Sequence, residues 1–164
     1  MVTLSRSRVV GVALALVAAG AVLYFWPRHE PGVPEAVTRQ VITMTRAAEA
    51  KDISKVMESV SERFKTDGGM DSRQVRGILT GQVLRGQWVR IFTTNLEVHE
   101  VSPTQGDFQA RFIFGRSQAE SVKDLAADSV LNAYLIEGTF EKEADGEWRV
   151  VRAKYRPLEA TELL

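Results

Sequence analysis

The chain has no cysteine among its 164 residues. Disulfides, thiolate metal sites, cysteine nucleophiles and an acylated N-terminal cysteine are therefore excluded. Histidine is nearly as scarce: His29 and His99 are the two imidazoles. They stand far apart in sequence, and no metal-ligand spacing is visible. No surplus of either charge exists, since 21 Lys+Arg balance 21 Asp+Glu. From residue 35 onward, 18 basic side chains meet 20 acidic ones, a net charge near −2. Without a basic excess there is nothing to neutralise a phosphate backbone, which argues against nucleic acid as a partner. Internal repeats and low-complexity segments are absent as well. No catalytic set, cofactor site or metal site can be read from the residues.

What the chain does have is an uncharged run at 9–26, VVGVALALVAAGAVLYFW. A hydrocarbon core about 30 Å thick needs roughly 20 apolar helical residues to cross it. Arg6 and Arg8 precede the run, and Tyr24, Phe25 and Trp26 close it as an interfacial aromatic belt. The positive-inside rule keeps residues 1–8 in the cytoplasm and places everything after the span outside it. The alternative is a cleaved signal peptide, with Ala19-Gly20-Ala21 as the cleavage site. That cut would leave Val-Leu-Tyr-Phe-Trp exposed at the new terminus, so an uncleaved anchor is the preferred reading. Both readings export the domain. The expected organisation is a span at 9–26, a stiff linker at 27–34 (PRHEPGVP) and one folded domain at 35–164.

Within the domain the apolar period is first helical. Val37, Val41, Met44 and Ala48 form one stripe over 35–50. Asp52 is a good N-cap for a second helix whose face would be Ile53, Val56, Met57, Val60 and Phe64. Asp71 with Gln74 matches a capping box opening a third helix, with Val75, Ile78, Leu79 and Val83 as its face. From Trp88 the period becomes two. A strand at 88–100 with a bulge near Thr94-Asn95 is expected, then one at 107–114 with Phe108, Ala110, Phe112 and Phe114 on one side. Residues 115–128 read as a loop with a short helix. Strands at 130–143 and 148–156 flank Asp145-Gly146, a hairpin signal.

The segment 134–151 (YLIEGTFEKEADGEWRVV) resembles the last two strands of the nuclear transport factor 2-like superfamily, which includes SnoaL-like and cystatin-like cones. The stretch 47–57 (AAEAKDISKVM) is similar to its first helix junction. The resemblance covers roughly residues 35–157. It implies an α+β fold, with three N-terminal helices on a curved antiparallel sheet that form a cone with a pocket at its open end. It also implies a sheet face through which many members dimerise. Anchor plus exported domain resembles the layout of inner-membrane assembly components of type IV secretion systems, and hence a bacterial inner membrane with the domain in the periplasm.

Enzymes of that superfamily use an Asp base or an Asp-His pair inside the cone. His99 lies in phase with Glu97 and Val101 at the polar end of a strand, and the aspartates fall in turns, loops and caps. The residues expected to line a pocket are Trp88, Phe92, Phe112, Tyr134 and Tyr155. The first reading of function is a non-catalytic binding or assembly module, held at the membrane by one helix and meeting a protein partner or a second copy through its sheet face. The second is a carrier of a small apolar ligand, with Phe92, Phe108, Phe112, Phe114, Phe140 and Trp88 around the cone. The bland alternative is that these rings fill the cone. An isomerase or dehydratase is the third.

Overall fold

The computed structural model describes residues 31–85, 88, 90–116, 120–124, 130–159 and 162. The apolar run at 9–26 and the linker residues 27–30, His29 among them, lie outside them. Among the described residues no helix is long and apolar enough to cross a membrane.

Helix α1 (Val33–Glu49) begins two residues before the expected boundary, because Pro34 fits its first turn, where no N–H is needed. It buries Val33, Ala36, Val37, Val41 and Ala47. Lys51 takes a left-handed φ of 59° just after it. The Asp52 carboxylate then accepts from the Lys55 N–H at 3.0 Å and caps α2 (Ile53–Glu58). This helix is shorter than its pattern predicts. Val60 and Phe64 do not continue it but belong to strand β1 (Val60–Thr66).

Helix α3 (Ser72–Arg85) opens with a reciprocal cap. The Asp71 N–H donates to Gln74 Oε1 and the Gln74 N–H donates to Asp71 Oδ1, both at 2.9 Å. The Gln74 backbone bond holds the Asp71 carboxyl below the usual carboxylate range. No residue of α3 is fully buried.

Four further strands follow: β2 (Arg90–Ser102), β3 (Gln105–Gly115), β4 (Val130–Lys142) and β5 (Trp148–Pro157), with a short 3-10 turn at Val122–Asp124 before β4. The sheet order is β1-β5-β4-β3-β2. The sheet is mixed rather than wholly antiparallel, because β1 runs parallel to β5. The register slips between Thr94 and Glu97, where Asn95 has φ 50°, so the expected bulge is present. Such bulges bend strands and add twist, which curves the sheet. The β4–β5 turn falls at Asp145-Gly146, but Gly146 alone has positive φ, 86°. The Gly146 N–H donates to Glu143 O and the Glu143 N–H to Glu147 O, which makes a three-residue loop.

The helices cover one sheet face, called inner here. Val33, Val37 and Val41 of α1 meet Phe64, Phe108, Phe140 and Val150 in the core. A polar clamp fixes β1 to the hairpin. The buried Ser61 hydroxyl donates to Glu143 at 2.7 Å, and Arg149 reaches Glu143 at 2.7 Å and Asp145 at 2.8 Å. The Ser61 hydroxyl first, and Arg149 with it, hold the Glu143 carboxyl below its ordinary range. Arg149 Nε also donates to Glu58 O at 3.1 Å, tying the end of α2 to β5.

Candidate functional site: an apolar cavity under the helices

A partly open cavity of about 240 Å³ lies between the inner sheet face and the helices. Alternation fixes its floor. Cross-strand partners share a face, so Phe112 of β3 and Ile136 and Phe140 of β4 point inward together. Helix α1 supplies Val41, Met44 and Ala48, and α3 contributes Val75 and Leu79. Among the described residues of the lining, Thr45 is the one polar side chain. Its hydroxyl donates to Val41 O at 2.9 Å, inside the helix, and lies 3.3 Å from the Thr93 hydroxyl. Among the described residues, no acid, base or amide side chain lines this space. A water there would lack the two to four polar partners it needs, so the cavity suits only apolar matter.

Of the five aromatic residues expected at a pocket, Phe112 lines the cavity. Trp88 is buried beside it: its Nε1–H donates to Ala48 O at 3.1 Å and its ring meets Phe114, a lining residue, edge-on at 5.9 Å. Phe92 alternates with Ile91 of the lining and so lies on the opposite face, paired with Ile113. Tyr134 and Tyr155 have the inward phase, opposite Phe112 and Ile136. They extend the aromatic row past Phe114, with ring centroids 6.1 and 6.0 Å apart along it. Neither joins the lining, and Tyr155 is 59% exposed. From the sequence alone, the helix residues of the lining read as ordinary core stripes. Helical periodicity marks which face turns inward, but not whether that face closes on its partners.

The outer face is polar over much of its width. Glu97, His99, Asp107, Glu137, Arg152 and Lys154 border a shallow groove there. The Thr139 hydroxyl donates to Asp107 at 2.7 Å and Lys154 pairs with Glu137. His99 is exposed and sits opposite Asp107. No cluster of three or more metal-ligating side chains occurs among the described residues.

Described residues beyond β5 meet the other part of the outer face. The Leu158 N–H donates to Ala133 O at 2.8 Å, and Arg111 Nη1 donates to Glu162 O at 2.8 Å. Arg156 grips the Glu162 carboxylate through both terminal nitrogens, at 3.0 and 2.8 Å. This grip, with the Glu159 N–H, lowers the Glu162 carboxyl from 4.5 to about 2. A depressed carboxyl stabilises the docked tail above its unfolded pKa, and that contribution is lost as pH falls through the folded one. Exchange protection of the Leu158 amide, followed by NMR, should therefore hold above pH 4.5 and drop between about 4.5 and 2. Glu162→Gln should show lower protection that changes little across the same window.

No family model matches the sequence, and no curated protein matches it. Solved structures do resemble the fold. An NTF-2-like protein of unknown function from Shewanella oneidensis aligns with a TM-score of 0.55 at 11% identity, covering 73% of this chain and 95% of that one. A ketosteroid isomerase-like protein from Erwinia carotovora atroseptica gives 0.55 at 14% identity, covering 76% and 95%. Bd1075 from Bdellovibrio bacteriovorus gives 0.56 at 14% identity over 76% of this chain, which spans only 40% of that longer protein. At such identities the likeness concerns the fold alone. The class is thus an α+β fold with helices over a curved five-stranded sheet, the fold these NTF2-like and ketosteroid isomerase-like structures share.

Proposed function

We propose that the domain is a non-catalytic binder of a small apolar ligand, held in the cavity beneath the helices. The observation that carries this reading is the lining: about 240 Å³ enclosed by apolar groups, with its one hydroxyl engaged within α1. Ligand sites commonly measure about 300–1,000 Å³, so the fitting ligand is a small one. General acid–base chemistry needs a titratable group within hydrogen-bond reach of the substrate, and the described lining offers none. A ketosteroid isomerase-like neighbour therefore supports the scaffold rather than the reaction. The sheet face expected to meet a partner is charged or covered by the tail, which favours the cavity over assembly through that face. The apolar run at 9–26 supports a place at a membrane, with the domain exported, where apolar ligands are at hand.

The test is calorimetric titration of the full chain with decanol. One-to-one binding with a negative heat-capacity change is expected, the mark of apolar burial. Leu79→Trp adds an indole to the lining from α3, whose residues are at most half-buried, and should weaken binding at least about tenfold while the fold is retained. No heat of binding, or equal affinity in the variant, would sink the reading.

A further inference from the structure

The apolar cavity has a basic neighbour. A second groove, of about 480 Å³, is bordered by Met57, Val60, Glu62, Ser72, Arg73 and Arg76. Val60 borders both spaces, so the two adjoin. Val75, which lines the cavity, stands on α3 between the two arginines. Resting on the binding function proposed above, we propose that Arg73 and Arg76 form an anion subsite at this junction. The ligand is then an anionic amphiphile with one apolar chain: the chain lies in the cavity and a carboxylate or phosphate head lies in the groove.

Three observations carry this. First, the cavity cannot hold a polar head, because burying one without partners is costly and the lining supplies none. A head group must stay outside while its chain is inside. Second, neither arginine is held in a direct ion pair, although the Arg73 charge helps to lower the Asp71 carboxyl. Arg39, Arg63, Arg90, Arg149 and Arg156 each pair with a carboxylate within 4 Å, but among the described residues Arg73 and Arg76 make no such pair. Third, α3 bears Arg73, Arg76 and Arg85 and no acid. Asp71, beside its first residue, is committed to the Gln74 cap. Glu62 is the acid bordering the groove, and two guanidinium forks outweigh it. Those forks match the two oxygens of a carboxylate or phosphate.

The experiment compares decanoate, decyl phosphate, decanol and decyltrimethylammonium, which share a chain and differ in head, by titration of the full chain at low ionic strength. Decanoate or decyl phosphate is expected to bind about tenfold or more tighter than decanol, and the tighter of the two tells carboxylate from phosphate. The Arg73→Gln/Arg76→Gln pair should erase that preference and leave decanol affinity unchanged. Glu62→Gln should strengthen binding of both anions. If decanol binds but the anions do no better, or the arginine variant keeps their advantage, the subsite is overturned and the cavity reading stands. A preference for decyltrimethylammonium would overturn it too, and would give Glu62 the leading role. If none of the four binds, the cavity reading itself falls.

Discussion

Phe140→Ala should cost about 3–5 kcal/mol of folding stability, read as a drop in the denaturation midpoint at unchanged m-value. The Phe140 side chain is fully buried and packs on Phe108 with ring centroids 5.3 Å apart. Cost rises with how poorly a site collapses around the lost ring. Here collapse is hindered, because Phe140 already borders the cavity. The new void would merge with the old one. A marginally stable domain has only about 5–15 kcal/mol in hand, so the variant stands near the edge of folding. A loss under about 1.5 kcal/mol would show that the helices settle into the space, and that the cavity walls are softer than their packing suggests.

The second large effect comes from adding an atom. A Cβ on Gly138 would sit 2.6 Å from the Arg152 carbonyl oxygen and 2.8 Å from Phe108 Cε1. The first obstacle is backbone of the neighbouring strand and cannot swing aside. Gly138→Ala should therefore destabilise by about 1–3 kcal/mol and perturb the β4–β5 pairing. The same change at Gly77, on α3, meets nothing within 4 Å. There it should stabilise by about 0.4–1 kcal/mol, by restricting the unfolded chain and favouring the helix. Thermal unfolding of the two variants side by side checks both signs. A neutral Gly138→Ala would mean that β4 and β5 are free to shift apart.

The elements legible in the sequence are those whose signal is local. The Asp71–Gln74 cap, the Asp52 cap and the slip at Asn95 each depend on residues a few positions apart. The alternation of Phe108, Ala110, Phe112 and Phe114 marks β3 because its inward face is buried from Gly106 to Ala110 and lines the cavity beyond, although Ile113 of the other face is buried too. Strand β1 escaped because Val60 and Phe64 stand four apart, a helical spacing. Its burial follows no period of two, since the register slips between Val60 and Lys65. A similar slip between Thr139 and Phe140 turns Val150 inward, which a strict period of two counted back from Tyr155 does not give. The cavity was less legible still. Phe112 and Trp88 lie at or beside it, but its α1 and α3 walls are written in the same letters as a closed core. Nor does any local signal distinguish Arg73 and Arg76 at its edge from other exposed helix positions.

The parallel strand pair also sets an order of events in the life of the chain. β1 is made early, and β5, its sole neighbour in the sheet, is made last. The Ser61–Glu143 contact that secures it spans 82 residues. Until the C-terminal segment has emerged, β1 is an unpaired strand and Phe64 has no finished floor beneath it. Contacts so distant along the chain form late and slowly. A nascent chain therefore carries a sticky edge until β5 has been made, and a truncation ahead of Trp148 would leave that edge permanently open.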